Sequence, residues 1–114
     1  MRNIVAGNWK SNKLMNEGIE LMDAITKGLP TLHKTEVIVA PPAPYLAQFS
    51  TRYKGHSVHL SAQQCSEQGQ GAHTGEYTAE MLHSSGVTHV IVGHSERRDR
   101  FGESFAAVRS KVNQ

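Results

Sequence analysis

Four short runs of apolar residues divide the chain and predict four β-strands. Three of them are rich in β-branched residues, and all are bounded by glycine, proline or polar residues. The second and fourth runs are continuously apolar, which favours parallel strands covered on both faces by helices. The runs are Ile4–Ala6, Val37–Ala40, Val58–Ala62 and His89–Val92.

Amphipathic patterns after these runs predict four helices. Each pattern combines apolar residues at helical spacing with a residue type that commonly starts or stops a helix. The predicted apolar positions are Leu14, Gly18, Leu21 and Ile25, stopped by Gly28 and Pro30; Tyr45, Leu46 and Phe49, after Pro44; Ala79 to Leu82, capped by Thr78 and ended by Gly86; and Phe105, Val108 and Val112, capped by Ser104.

The elements therefore alternate as four βα units. Strand starts lie about 20 to 33 residues apart, the scale of βαβ units. Such an order predicts an α/β fold, either part of a doubly wound sheet or half of an eight-fold barrel. Both folds carry their functional side chains at the carboxyl ends of the strands, so candidate residues are sought there.

Composition and charge limit the possible functions. The chain has 114 residues, 38% hydrophobic, so residues 1–114 are predicted to form one domain with no second one. A net charge of +2 does not indicate a nucleic-acid or membrane partner. One cysteine, Cys65, allows no internal disulfide, and no signal peptide or membrane span is predicted. The expected location is cytoplasmic.

The end of the first strand carries a polar pair. Asn8 and Lys10 are two residues apart, so in extended chain they point to one side and Trp9 points to the other. A neutral hydrogen-bonding group beside an ammonium suits an anionic, oxygen-rich substrate. The alternative is a solvated lysine next to a core tryptophan.

The end of the fourth strand carries a histidine. His94 precedes a polar turn that is able to start a helix, and exposed backbone N–H groups there disfavour imidazolium. A neutral ring of this kind donates a hydrogen bond. The alternatives are a structural histidine and, for Glu96 and Arg97, a surface pair.

Four other features of the sequence bear on its possible chemistry. The glycine-rich segment 68–76 lacks the ending of a phosphate loop and is interpreted as a long interaction loop. His56 and His59 are three apart on a strand and face opposite sides, so no metal site is predicted. Cys65 is interpreted as a structural thiol, and the basic run 97–100 as a solvated or interface surface.

Taken together, several segments resemble the triosephosphate isomerase family, in the right order and over essentially the whole chain. The run from Gly93 to Arg98, Gly-His-Ser-Glu-Arg-Arg, is the most specific of them. The segments are Asn8-Trp9-Lys10, Ala62-Gln63, Gly71-Ala72-His73-Thr74-Gly75-Glu76, Val90 to Arg98, and Phe101-Gly102-Glu103-Ser104.

The resemblance implies the first four βα units of a (β/α)8 barrel, with sequential parallel strands and an incomplete barrel. It also implies a cofactor-free homodimer interconverting dihydroxyacetone phosphate and glyceraldehyde 3-phosphate. Asn8 and Lys10 would bind substrate, and Lys10 would also stabilise the enediolate. His94 would be the neutral electrophile, for which this family is a standard example. Ser95 would help to hold the family's glutamate base in its resting position, and Glu96 would be a supporting acidic residue near Lys10.

The resemblance further implies a dimer contact. Thr74, at the tip of the long loop, would enter the neighbouring subunit, with Glu76 and Arg97 in the same contact. Ser11 departs from the methionine usual in the family at this contact. Phe105 departs from the small or acidic residue usual at a helix start.

Length is the larger departure, because such a barrel needs about 250 residues. No carboxylate in the sequence matches the family's glutamate base, so the chain is expected to be inactive alone. The alternative is a non-catalytic half-barrel that pairs its open edges or complements a carboxyl-terminal half. A small doubly wound phosphate-binding protein is a third hypothesis.

Overall fold

The computed structural model describes residues 2–29 and 34–114, which form four strands, five α-helices and one short 3-10 helix. The strands are β1 (Asn3–Asn8), β2 (Thr35–Ala40), β3 (Val58–Ala62) and β4 (His89–Val90). The helices are α1 (Met15–Gly28), the 3-10 helix (Ala43–Tyr45), α2 (Leu46–Arg52), α3 (Ala79–Ser84), α4 (Ser95–Arg100) and α5 (Phe105–Asn113).

The sheet is parallel throughout, with strands in the order β1-β2-β3-β4. This sequential order is the one expected of consecutive units of a barrel. It argues against the doubly wound alternative, in which the order of the strands reverses within the sheet. The fourth strand is shorter than predicted. Within the described part of the chain it pairs with β3 alone. Beyond Val90 the pairing continues with one hydrogen bond, from Ile91 N–H to the Ala62 carbonyl at 2.9 Å.

The core lies between one face of the sheet and the helices. Met22 of α1 and Phe49 of α2 are completely buried there, and the Phe49 ring meets Trp9 edge-on with ring centroids 5.8 Å apart. A Cβ placed on Gly18 would lie 3.1 Å from the Phe49 ring, so glycine permits α1 to approach this closely. Cys65 is also fully buried, and burial raises the pKa of its thiol.

The first strand forms an open edge of the sheet. Ile4 and Val5 point to opposite faces of β1 and are 61% and 59% exposed, because no other strand or helix of residues 2–29 and 34–114 covers them. An uncovered apolar edge was predicted for half of a barrel, and it offers a surface for pairing with another chain.

The helices depart from the predicted patterns in two places. A short helix, α4, lies between β4 and the fourth predicted helix and was not among the four predicted; Gly102, with a φ of +66°, separates it from α5, which begins after Ser104 as predicted. The expected apolar face of α5 is wrong: Phe105 and Val112 are 83% and 69% exposed, whereas Lys111 is buried. The predicted stop at Pro30 lies outside the described residues. None of the helices in residues 2–29 and 34–114 is both long and apolar enough to cross a membrane.

Candidate active site

The carboxyl ends of the strands surround a cavity of about 210 Å³. Its walls include the residues that follow β1, β3 and β4, which come together because parallel neighbouring strands end at the same edge. The residues that matter for its chemistry are Asn8, Lys10, Gln63, His94, Glu96 and Arg97. The polar groups predicted at the ends of the first and fourth strands therefore face one space.

Lys10 is held in an unusual backbone conformation. Its φ is +56°, a left-handed value that lysine rarely adopts and that costs on the order of 1 kcal/mol or more. Its N–H donates to Asn8 Oδ1 at 2.9 Å, and its carbonyl accepts from Gln63 Nε2 at 2.8 Å. Gln63 also donates to the Ala40 carbonyl at 2.9 Å. The surrounding side chains thus fix the turn that presents Lys10 to the cavity.

The charge of Lys10 is paired in this structure. Lys10 Nζ lies 2.7 Å from Glu96 Oε1, with both side chains about half exposed. The hydrogen bond from Lys10 lowers the pKa of Glu96 below its usual value. Glu96 therefore lies beside Lys10, as the resemblance implied, and is a weak base there.

His94 caps the short helix α4. Its Nδ1 accepts a hydrogen bond from the Glu96 N–H at 3.0 Å. A nitrogen that accepts carries no proton, so in this arrangement the ring is neutral and its hydrogen is on Nε2. The predicted role of His94 as a neutral hydrogen-bond donor to a substrate stays a prediction.

A buried ion cluster supports the strand end that carries His94. The Glu103 carboxylate accepts from the Gly93 N–H at 3.1 Å, from Arg97 Nε at 2.9 Å and from Lys111 Nζ at 2.7 Å. Burial alone would raise the pKa of Glu103, but the bonds from Lys111 and Arg97 outweigh it, and the pKa is lowered. No role for Glu103 is predicted from the sequence. A single glutamate after a glycine, in Phe-Gly-Glu-Ser, does not indicate a buried ion pair.

Of the other predicted residues, Ser11 and Arg97 line the cavity, and Ser95, Thr74 and Glu76 do not. Ser95 is exposed at the start of α4. Thr74 and Glu76 are exposed in the loop between β3 and α3. Arg97, expected at a dimer contact, makes its ion pair with Glu103 within the chain.

The loop that carries Thr74 has a defined shape. Ser66 N–H donates to the Tyr77 carbonyl at 2.9 Å and closes its base. At its tip, Glu76 N–H donates to the His73 carbonyl at 2.9 Å, and Gly75 has a φ of +89°, as a type II turn requires of its third residue. Residues 67–76 between these contacts are exposed.

These features define an α/β protein of the parallel-barrel class whose polar mouth has a lysine, an asparagine and a histidine. The family described as triosephosphate isomerase matches residues 3–114. The chain is 41% identical over 112 residues to triosephosphate isomerase of Bradyrhizobium diazoefficiens, covering 98% of the chain and 45% of the relative. It is 46% identical over 110 residues to that of Thiobacillus denitrificans, covering 96% and 43%.

A solved structure gives the same result. The crystal structure of triosephosphate isomerase from Bartonella henselae superposes with a TM-score of 0.91 at 36% identity, covering 99% of this chain and 46% of that one. This chain belongs to the triosephosphate isomerase family. It has the fold of the first four βα units of the barrel, which confirms the predicted fold class, and it spans less than half the length of these relatives.

Proposed function

We propose that this chain supplies the electrophile and the substrate-binding lysine of a triosephosphate isomerase active site. The substrate class is a phosphorylated three-carbon sugar, and the reaction interconverts dihydroxyacetone phosphate and glyceraldehyde 3-phosphate through an enediolate without a cofactor. The observation that carries the proposal is the shared cavity, whose wall contains Asn8, Lys10 and His94 together.

The chemistry assigned to each group follows from its contacts. Lys10 is a fixed positive charge at the cavity wall, suited to a phosphate and to the negative charge that develops on the substrate oxygens. His94 donates from Nε2 to one of those oxygens, since its Nδ1 already accepts from the Glu96 N–H. Asn8 holds the backbone of Lys10 through its side-chain oxygen and keeps its amide hydrogens for the substrate.

Proton abstraction needs a base within hydrogen-bond reach of the substrate carbon. Glu96 is the one carboxylate among the described residues that line the cavity, and Lys10 holds it ionised and paired. A carboxylate with a lowered pKa is a poor proton acceptor at neutral pH. We therefore expect the base to come from a segment outside these 114 residues, and the chain alone to be inactive.

An isomerase assay with and without a complementing half tests this. The purified chain is assayed alone, and then mixed with the remaining part of the Bradyrhizobium diazoefficiens relative. We expect no turnover above a His94→Ala variant for the chain alone, and turnover in the mixture. Lys10→Met is expected to abolish that turnover, while Lys54→Met, which removes an exposed lysine after α2, leaves it unchanged.

Two results would contradict the proposal. Turnover by the isolated chain well above the His94→Ala variant would show that its own carboxylates suffice. If the mixture keeps its turnover when Lys10 is replaced by methionine, Lys10 is not part of the active site. The presence of complemented protein is checked by size-exclusion chromatography, so that failure to associate is recognised separately.

The open edge of the sheet favours a second candidate, a non-catalytic half-barrel module that associates through it. Ile4 and Val5 leave apolar surface on both faces of β1, and among the strands that the structure describes the backbone of β1 pairs with β2 alone. Light scattering on the isolated chain separates the cases. A stable dimer that remains inactive with the complementing half supports the module, whereas a compact monomer argues against edge pairing.

For the assembled enzyme we also propose a homodimer, with the Thr74 loop as its contact. The support is the exposed, closed loop with an ordered turn at its tip, a shape suited to insertion into a partner. Deleting residues 70–75 is expected to reduce dimer content of the complemented protein in sedimentation velocity. If the dimer content does not change, the dimer contact lies on another surface.

A further inference from the structure

Three neighbouring strands each place one metal-ligating side chain on the same face of the sheet. These residues are Glu36 of β2, His59 of β3 and His89 of β4. The register pairs Ile38 with His59 and Ser61 with His89, and side chains two residues apart on a strand share a face. All three are near the amino ends of the strands, away from the cavity with Lys10 and His94.

The spacing of their ligand atoms suits one small cation. The Glu36 carboxylate oxygen lies 2.9 Å from His89 Nε2 and 3.8 Å from His59 Nε2, and one ligand atom of each residue lies within 4.8 Å of the others. Two ligands bound tetrahedrally at zinc distances are separated by about 3.4 Å. The two observed distances lie on either side of that value.

His89 is held in a suitable orientation by Thr88. Thr88 Oγ1 lies 2.7 Å from His89 Nδ1 and 3.3 Å from the Leu60 carbonyl. If the hydroxyl donates to Leu60, its oxygen accepts from a protonated Nδ1. The lone pair is then on Nε2, the nitrogen that faces Glu36, and metal-bound histidines are commonly fixed by such an outer hydrogen bond.

The cluster is reachable from solvent yet partly enclosed. The side chains of His59 and His89 are 43% and 34% exposed, and that of Glu36 is 18% exposed. A groove of about 250 Å³ reaches Glu36 and His59, and Arg2 also lines it. A cation has an entry route, and water is able to complete its coordination.

We propose that Glu36, His59 and His89 bind a divalent transition cation of the Zn²⁺ class. Two imidazoles and a carboxylate are a donor set typical of zinc, with nickel, cobalt and copper as competitors. The ion would tie β2, β3 and β4 together at the end of the sheet opposite the substrate cavity. No metal site is predicted from the sequence, because the spacing of His59 and His56 along the chain places these two side chains on opposite faces.

Zinc titration of the full chain tests the proposal. The metal-free chain is titrated with ZnCl₂ at about pH 7.5, where imidazoles are largely neutral, in competition with a chromogenic chelator. We expect one ion per chain. His59→Gln, His89→Gln and Glu36→Gln should each weaken binding by at least about tenfold. His56→Gln and His83→Gln, which change exposed histidines outside the cluster, should leave it within twofold.

A second measurement does not depend on how well the variants fold. Histidine-ring NMR signals of the unaltered chain are followed during the zinc titration. We expect the signals of His59 and His89 to shift together and saturate at one equivalent, while the other histidines stay unchanged. Absence of stoichiometric binding, which would leave an ion pair of His89 with Glu36 only, overturns the proposal. Equal shifts across all histidines, or equal losses in the control variants, overturn it as well.

Discussion

Replacing Glu103 with glutamine removes the negative charge of a buried ion cluster and tests how the His94 segment is held. The Glu103 and Lys111 side chains are only 3% and 6% exposed, so the Lys111 ammonium would stay buried without its counter-ion. Breaking a buried pair in this way typically costs about 3–5 kcal/mol. Total stability of a small protein is about 5–15 kcal/mol, so the loss is a large share of it.

Urea unfolding followed by circular dichroism at fixed protein concentration measures this loss. Glu20→Gln, the same substitution at an exposed position of α1, is the control and should change the unfolding free energy by no more than about 0.5 kcal/mol. Adding Lys111→Met to Glu103→Gln removes the orphaned charge and should restore part of the loss. A Glu103→Gln midpoint equal to that of the control would refute the idea that the cluster stabilises the fold.

Three further outcomes are expected. The pKa of Glu103 is lowered in the folded state, so its contribution to stability is present above the unfolded-state pKa of about 4.3 and is lost as pH falls through the folded-state pKa. Acid titration followed by circular dichroism should show this loss of stability with falling pH, and the Glu103→Gln variant should lack it. Gly86→Ala should lower the urea midpoint more than Gly55→Ala. Both glycines have a positive φ, but a Cβ at Gly86 would collide with Ser50 whereas one at Gly55 would meet no atom within 4 Å. Equal midpoints for the two variants would contradict this. Thr78→Ala, which removes the cap on the Met81 N–H, should cost about 1 kcal/mol by the same assay, against no change if the cap is unimportant.

Local pattern was sufficient for the presence of the strands and for the end of the sheet at which the cavity lies, whereas the sequential strand order was implied only by the resemblance to the family. Apolar runs bounded by breaking residues locate strands, and parallel strands bring their carboxyl ends together whatever the details of packing. The placement of Asn8 and His94 near one another could therefore be predicted from their positions at the carboxyl ends of β1 and β4 alone. The left-handed backbone of Lys10 could not be predicted in this way, because it depends on Gln63, a residue 53 positions away that bonds its carbonyl.

The features that sequence analysis missed all depend on contacts between elements. Glu103 and Lys111 look like surface residues in the sequence, and only the meeting of α4, α5 and the strand end buries them. The same cluster sets which side of α5 faces inward, so the apolar pattern of Phe105 and Val112 was misleading. His59 has its two potential co-ligands on adjacent strands, where no spacing rule along the chain connects them.

The central claim is that Lys10 and His94 serve one phosphosugar site. Titrating the isolated chain with dihydroxyacetone phosphate while following the His94 ring signal by NMR tests it directly, since binding does not require the proton-abstracting base. We expect a saturable shift of the His94 signal. Lys10→Met should abolish this shift, and Lys54→Met should leave it unchanged. A His94 signal that does not move, or that moves equally in the Lys10→Met variant, would contradict it.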